Sequence, residues 1–416
     1  MEQKQKSYLP LIGSLYTNYI FQGIATIIIS QNLASLMTQW HASVQQVTLT
    51  VSGIGLGRIL SLLFSGNLSD RFGRKQSVQL GVICYFIFFI GIIISQNYIQ
   101  GGFFAIFAGF SNAFLDTGTY PALVEAYPGE ADNSSLSVLN KAFISVGQFL
   151  LPLITRYVLQ QNLYYGYVFI ACVLGLALNL VYITRQSFPP KATPLIIESE
   201  VTVVSQSTMI RNVPAFKIEG LALLVFSFTC VSTFNIFILW SPSFVQSLGF
   251  MNSADSLMMV SAYSIGSFGS VFLTAWLVKK GVAPTLLMIW CTLASWLLLL
   301  LMLVFPYFEV MMVVSIGIGM FAAGGIWQLG LSVLLELFPY GKGKVTSYYS
   351  LATSVSVMLI PYLTGQLFQI NIAAIFWFNA LLTGLGFLAS LVIRYRYKQL
   401  TSPCIKVQAP IQSVKN

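Results

Sequence analysis

Gly66-Asn67-Leu68-Ser69-Asp70-Arg71-Phe72-Gly73-Arg74-Lys75 is a short polar and basic stretch held between two long apolar runs, 44–66 and 77–98. A hydrocarbon layer about 30 Å thick needs about 20 mostly apolar residues per helix. Each flanking run is therefore long enough to cross a membrane, and the stretch between them is a turn at one surface. Outward from it the same pattern repeats over 9–37, 101–125, 136–160, 164–184, 218–245, 255–278, 284–305, 309–335, 344–368 and 372–393. Twelve spans explain why 56% of the 416 residues are hydrophobic and only 8% charged, where a soluble domain carries about 25% charged residues. The expected fold class is an all-α membrane protein of twelve transmembrane helices. Met1–Lys6 is basic, but no small-residue cleavage site separates it from the first run, so that run reads as a retained helix rather than a signal peptide.

Of the 21 Lys and Arg residues, all but Arg58 and Arg156 fall in or beside one alternating set of loops and the two tails. The positive-inside effect makes that set cytoplasmic, with both termini inside. The formal charge of +9 is then a matter of topology; a nucleic-acid partner would need a basic soluble face, which this pattern lacks. The partner read from composition is the lipid bilayer. Cys84, Cys172, Cys230, Cys291 and Cys404 are scattered and His41 is the single histidine, so neither a disulfide framework nor a metal or haem site is expected. Asn133-Ser134-Ser135 matches a glycosylation sequon by chance, on a cytoplasmic loop. Gly53-Ile-Gly-Leu-Gly57 lies inside an apolar run with no preceding strand, and reads as a small-residue packing face rather than a nucleotide loop.

The polar segment 185–217, with Pro189, Pro190, Pro194 and Pro214, reads as a cytoplasmic linker between two bundles, 1–184 and 218–393, with a tail over 394–416. A repeat supports the division. Glu125-Ala-Tyr-Pro128 closes the fourth helix and Glu336-Leu-Phe-Pro339 the tenth, and Leu-Leu-Pro152 and Leu-Ile-Pro361 follow at matching places. Six helices per half is an even number, so both repeats start on the same side and are related by an axis along the membrane normal.

With twelve spans and a central linker in place, Gly66 to Lys75 resembles the loop between the second and third helices that marks the major facilitator superfamily. The resemblance covers the whole chain. Ser52-Gly-Ile-Gly-Leu-Gly-Arg58, Leu115-Asp-Thr-Gly-Thr-Tyr-Pro-Ala-Leu-Val-Glu125, Tyr165-Gly-Tyr167 and Ala322-Ala-Gly-Gly-Ile-Trp-Gln-Leu-Gly330 are similar to a branch of bacterial inner-membrane transporters within it. It implies two pseudo-symmetric six-helix bundles, alternating access, transport rather than enzymatic activity, and a bacterial cytoplasmic membrane. It also implies that Asp70, with Arg71 and Arg74, latches the cytoplasmic side against the start of the eleventh helix near Gly343–Val345, where a carboxylate gains from the positive end of a helix dipole. Gly66 and Gly73 would permit the tight turn. The matching stretch of the second half, Leu277-Val-Lys279-Lys280-Gly281, has no acid, so one half carries the latch. The drug/proton antiporter pattern, an arginine in the fourth helix and Gly-Pro in the fifth, is not matched by Phe107-Ala-Gly-Phe-Ser-Asn112 or Gly147-Gln-Phe-Leu-Leu-Pro152.

Ionisable residues at membrane depth cost roughly 2.5–3.5 kcal/mol on insertion scales and are functional candidates by default. Arg58 and Asp116 both fall roughly 12–14 Å from the cytoplasmic boundary at 1.5 Å per residue. They are expected to pair or to exchange partners. In the functional form Arg58 receives a substrate carboxylate and Asp116 carries a coupling proton; in the structural form they lock two helices together. Glu125, Lys141 and Glu336 lie where helices meet water and read as inner-gate contacts, with Glu125 and Lys141 as a pair. Asn18, Gln22, Asn235, Trp327 and Gln328 lie on helices that line the central path in the superfamily, and read as cavity residues or interhelical contacts. The expected function is secondary active transport, as proton-coupled symport of an alicyclic or aromatic carboxylate by a monomer. The proton gradient takes the place of a cofactor. An exporter of metabolites or drugs, a neutral-sugar symporter and a non-transporting sensor are the alternatives; the sensor would need more than Arg394–Asn416 as an output domain.

Overall fold

A computed structural model of the protein describes residues 8–126, 133–190, 209–210, 214–339 and 342–402. Met1–Lys6, Pro128, Pro194, most of the expected linker 185–217, and the tail beyond 402 with Cys404 lie outside the described residues. The first half comprises α1 (Leu9–Gln31), α2 (Leu33–Trp40), α3 (Val44–Leu62), α4 (Ser65–Phe72), α5 (Arg74–Ile94), α6 (Tyr98–Ala126), α7 (Asn133–Gln160) and α8 (Gly166–Arg185). The second comprises a π-turn (Phe216–Gly220) leading into α9 (Leu221–Ser247), then α10 (Ser253–Ser256), α11 (Met258–Lys279), α12 (Pro284–Val304) and α13 (Phe308–Ile318). It ends with α14 (Ile326–Leu337), α15 (Lys342–Phe368) and α16 (Ile372–Leu400). Among the described residues eleven helical segments are long and apolar enough to cross a membrane, and α3 with α4, bent by 55°, makes the twelfth. An even number of crossings puts Leu9 and Leu400 at the same face, called here the terminus face.

The local chemistry explains the boundaries. Ser43 caps α3 and Gln46 returns the bond, a capping box that satisfies otherwise orphaned amide groups. The polar stretch read as a loop is instead largely helical: α4 runs through Gly66, where an added Cβ would meet nothing within 4 Å, so Gly66 makes no turn. The reversal falls on Gly73 alone, whose φ of 104° suits glycine. The expected tail from 394 is also helical to Leu400, because Arg396 donates to Glu219 at 2.6 Å and Tyr397 to Glu336 at 2.7 Å, which anchors the extra turns. Beyond it Thr401 and Ser402 pair antiparallel with Ile210 and Met209.

The tenth span is broken. A π-turn over Gly319–Ala323 and the non-helical pair Gly324-Gly325 separate α13 from α14. The glycines there break the helix.

The two halves meet along α3 with α15 and α7 with α11. At Gly55 an added Cβ would stand 2.3 Å from the backbone nitrogen of Met358 in the other half; at Gly57 it would stand 2.0 Å from Ile106 O on α6. These two positions let α3 lie against both neighbours at backbone distance, the reason small residues line membrane helix contacts.

Candidate functional site

The close packing of α3 on α6 brings Arg58 Nη2 to 3.4 Å from Asp116 Oδ2. The other carboxylate oxygen, Oδ1, accepts from Tyr19 Oη on α1 at 3.2 Å. Tyr120, one turn beyond Asp116, packs its ring against Tyr19 with centroids 6.3 Å apart. Arg58 and Asp116 keep 22% and 23% of their side-chain surface exposed, so the pair is reachable and is not sealed in the core. Lys141, on α7, lies within electrostatic reach of both. Three helices of one half thus hold one carboxylate between a cation and a phenol, with a second cation beside it.

At the terminus face Arg74 joins the signature residues. Its Nη1 donates to Asp70 Oδ1 at 2.7 Å and to Ser69 Oγ at 3.0 Å, and its Nε donates to Glu125 Oε1 at 3.3 Å. Ser69 Oγ in turn donates to Thr117 O at 2.8 Å. That carbonyl is available because Pro121, one turn later, has no N–H to return to it. Arg71 lies over the ring of its neighbour Phe72 at 5.4 Å. Lys75 Nζ donates to the carbonyls of Thr184 and Gln186 and so caps the end of α8.

The structure does not form the expected Glu125–Lys141 pair. Glu125 belongs to Arg74, and Lys141 sits about 12 Å inside α7, because that helix starts at Asn133 and not at 136. Its Nζ lies 6.0 Å from the ring centroid of Phe234 on α9, in the other half. Glu336 accepts from Tyr397 at 2.7 Å within its own half.

From mid-depth to the face opposite the termini, polar contacts tie the halves together. Ser145 and Ser267 hydroxyls share a hydrogen bond of 2.9 Å, Ser261 Oγ donates to Phe149 O at 3.0 Å, and Arg156 Nε donates to Asp255 Oδ1 at 2.6 Å. Gln369 bonds Gln45 at the same level. Arg156, read from sequence only as an exception to the charge pattern, is an interdomain contact.

The amide and indole candidates divide. Asn18 turns toward α8, where its Oδ1 accepts from Asn179 Nδ2 at 2.8 Å, an interhelical contact that leaves its own Nδ2 without a partner. Trp327 Nε1 is directed at Ser227 Oγ and Thr353 Oγ1, at 3.1 and 2.9 Å, inside its own half. Gln22, Asn235 and Gln328 each retain a buried polar atom without a partner, which is how a site for a polar solute differs from a finished core. Tyr19 is the residue that sequence reasoning missed: Tyr16, Tyr19 and Gln22 recur every three residues on α1, a polar stripe at helical spacing that marks one face. A separate cavity of about 10 Å³, the size of one water, lies inside the second half among Thr229, Thr233, Thr292, Ser295 and Thr383. It does not touch the charged cluster.

Two six-helix bundles closed on one face over a polar, charged interior define a polytopic transporter. The family model of the Major Facilitator Superfamily matches residues 15–306 and 258–414. The chain is 36% identical to the inner membrane transport protein YdiM of Escherichia coli (strain K12), over 95% of this chain and 96% of that one. It is 33% identical to the inner membrane transport protein YdiN of the same organism, over 92% and 89%. A crystal structure of a D-xylose-proton symporter superposes with a TM-score of 0.72 at 16% identity, covering 93% of this chain and 97% of that one. The chain belongs to the Major Facilitator Superfamily and is a multi-pass inner-membrane transporter of small molecules, a family of transporters rather than enzymes.

Proposed function

We propose that the protein is a proton-coupled symporter that brings a small organic carboxylate, with an alicyclic or aromatic body, into the cell. The observation that carries this reading is the Arg58–Asp116–Tyr19 arrangement. Asp116 is a carboxylate at membrane depth that can take and release a proton. While it is ionised it holds Arg58; once protonated it leaves the guanidinium for a carboxylate, which the planar fork matches. Tyr19 keeps the carboxyl oriented in either state, since a phenol can donate or accept.

The distribution of basic residues supports a cytoplasmic placement of both termini. On that placement the contacts from Ser145 to Arg156 close the outer side, and the site opens inward. Asp70, Arg71 and Arg74 then act at the inner face as the latch of the alternate state, with Glu125 behind Arg74. The charged cluster is built from a single chain, which supports a monomer as the working unit, with the proton gradient as the only coupling agent.

Purified protein reconstituted into liposomes tests the reading. An inwardly directed proton gradient should drive accumulation of a carboxylate chosen by a thermal-shift screen of organic acids, sugars and amino acids, because a ligand selective for the native state raises its melting temperature. A set of stabilising ligands without acids, or accumulation indifferent to the proton gradient, overturns it.

A further inference from the structure

Lys141 is a cation with no acid of its own among the described residues. The ion pairs among the described residues join Arg58 with Asp116, Arg74 with Asp70 and Glu125, Arg156 with Asp255 and Arg396 with Glu219. Lys141 is in none of them, although it lies on a membrane-spanning helix within electrostatic reach of Arg58 and Asp116. Its one directed contact is the face of Phe234 at 6.0 Å, the outer limit of a cation–π interaction. Such a contact does not satisfy the three N–H donors of an ammonium group.

The surroundings are unfinished in the same way. Asn140, next to Lys141 and fully buried, makes no short hydrogen bond on either amide atom, with the Tyr120 hydroxyl as its nearby polar neighbour. Asn235, next to Phe234, has an unpartnered Nδ2. One turn beyond Lys141 the Ser145–Ser267 bond closes the path, so this group of donors and one aromatic face sits directly beneath the closed side.

The charge balance sets the ligand. Arg58 and Asp116 cancel while Asp116 is ionised, and Lys141 is then the single uncompensated charge of the cluster. Once Asp116 carries its proton, Arg58 and Lys141 are both uncompensated. Buried charge without a counter-charge is costly, so the ligand that best fits the proton-loaded site supplies two negative charges.

We propose that Lys141 is the second anion receptor of the transport site, that the preferred substrate is an organic dianion such as a dicarboxylate with a flat or cyclic body, and that its binding ties α7 of one half to α9 of the other. This rests on the proton-coupled carboxylate reading above and narrows it. Arg58 takes the carboxylate nearer Asp116, and Lys141 takes the other.

The test compares matched ligands that differ in charge and little else: terephthalate, benzoate and benzamide, and in an open-chain series adipate, hexanoate and hexanamide. Each is titrated into detergent-purified protein while the melting temperature is followed, for the wild type, Lys141→Arg and Lys141→Met. The wild type and Lys141→Arg should bind the dicarboxylate of at least one series about tenfold more tightly than its monocarboxylate, and the amide weakest. Lys141→Met should bind dicarboxylate and monocarboxylate alike. With no ligand present, Lys141→Met should melt at or above the wild-type temperature, because an uncompensated charge has been removed; a purely structural lysine predicts a lower one. Lys141→Gln repeats the comparison if the methionine variant does not purify as a single species. A wild type that prefers monocarboxylates, or a methionine variant that keeps the dicarboxylate preference, overturns the role of Lys141 and leaves the carboxylate reading standing. No response to any acid in either series overturns both.

Discussion

Arg58 Nη2 stands 3.4 Å from Asp116 Oδ2, an ion pair between α3 and α6 of the same half. Replacing Asp116 with Asn keeps the shape and the Tyr19 contact but removes the proton carrier. Accumulation against a gradient should fall at least about tenfold while exchange of substrate without a gradient persists. Vesicle uptake and counterflow assays read the two separately, and undiminished accumulation would remove Asp116 as the carrier.

The same pair has a stability signature. Arg58→Gln or Asp116→Asn alone leaves one charge partly buried and unpaired; because about a fifth of each side chain stays exposed, the expected loss is about 1–3 kcal/mol, below the 3–5 of a fully buried pair. The double variant should lose less than the two single losses added together, and a thermal or denaturant midpoint for all four proteins gives the coupling. Arg58→Lys should fold but weaken substrate binding about tenfold, since a point charge lacks the bidentate fork.

At the terminus face exposure decides which partner of Arg74 matters for stability. Asp70 is 64% exposed and Glu125 only 9%. Arg74→Ala should therefore cost about 1–3 kcal/mol through the stranded Glu125 carboxylate, with part of the loss recovered by adding Glu125→Gln. Asp70→Ala should change the melting temperature little and the transport rate much more. Equal effects of Asp70→Ala on both would argue against a latch.

Across the opposite face Arg156 and Asp255 join the halves at 2.6 Å with 39% and 30% exposure. A pair so exposed is worth about 0.2–1 kcal/mol, at most about fivefold in the opening equilibrium. Arg156→Asp should raise labelling of a cysteine placed in the central path by a reagent added from that face, and the exchanged pair Arg156→Asp with Asp255→Arg should reverse it.

Gly55 offers a steric version of the same experiment. A side chain there would press on the Met358 backbone from 2.3 Å. Gly55→Val is expected to cost about 1–3 kcal/mol in the closed arrangement and to increase access from the face opposite the termini. Unchanged labelling and transport would show that the α3–α15 contact can give way freely.

Much of this architecture was legible because the bilayer is a simple solvent. Length and apolarity mark the spans, and the intramembrane charges stand out against them, so Arg58 and Asp116 could be named as partners from depth alone. Asp70 and Arg74 were legible through the resemblance of their loop. Tyr19 was passed over for Asn18, its neighbour, because sequence does not state which side of α1 faces the other charged helices. Lys141 was misassigned for a related reason: sequence does not state that its side of α7 faces Phe234, Arg58 and Asp116 rather than Glu125.

The amino-acid sequence by itself determined twelve crossings, two related halves, and the presence of a carboxylate and cations at membrane depth, since each follows from the cost of placing polar groups in hydrocarbon. Only the tertiary structure decided which groups meet. It gave Asp116 to Arg58 and Tyr19, gave Glu125 to Arg74, and left Lys141 over Phe234 without an acid among the described residues, because contacts between helices depend on rotation and register about each axis. Those are settled by the close approach that residues such as Gly55 and Gly57 permit, and not by the hydropathy of any one span.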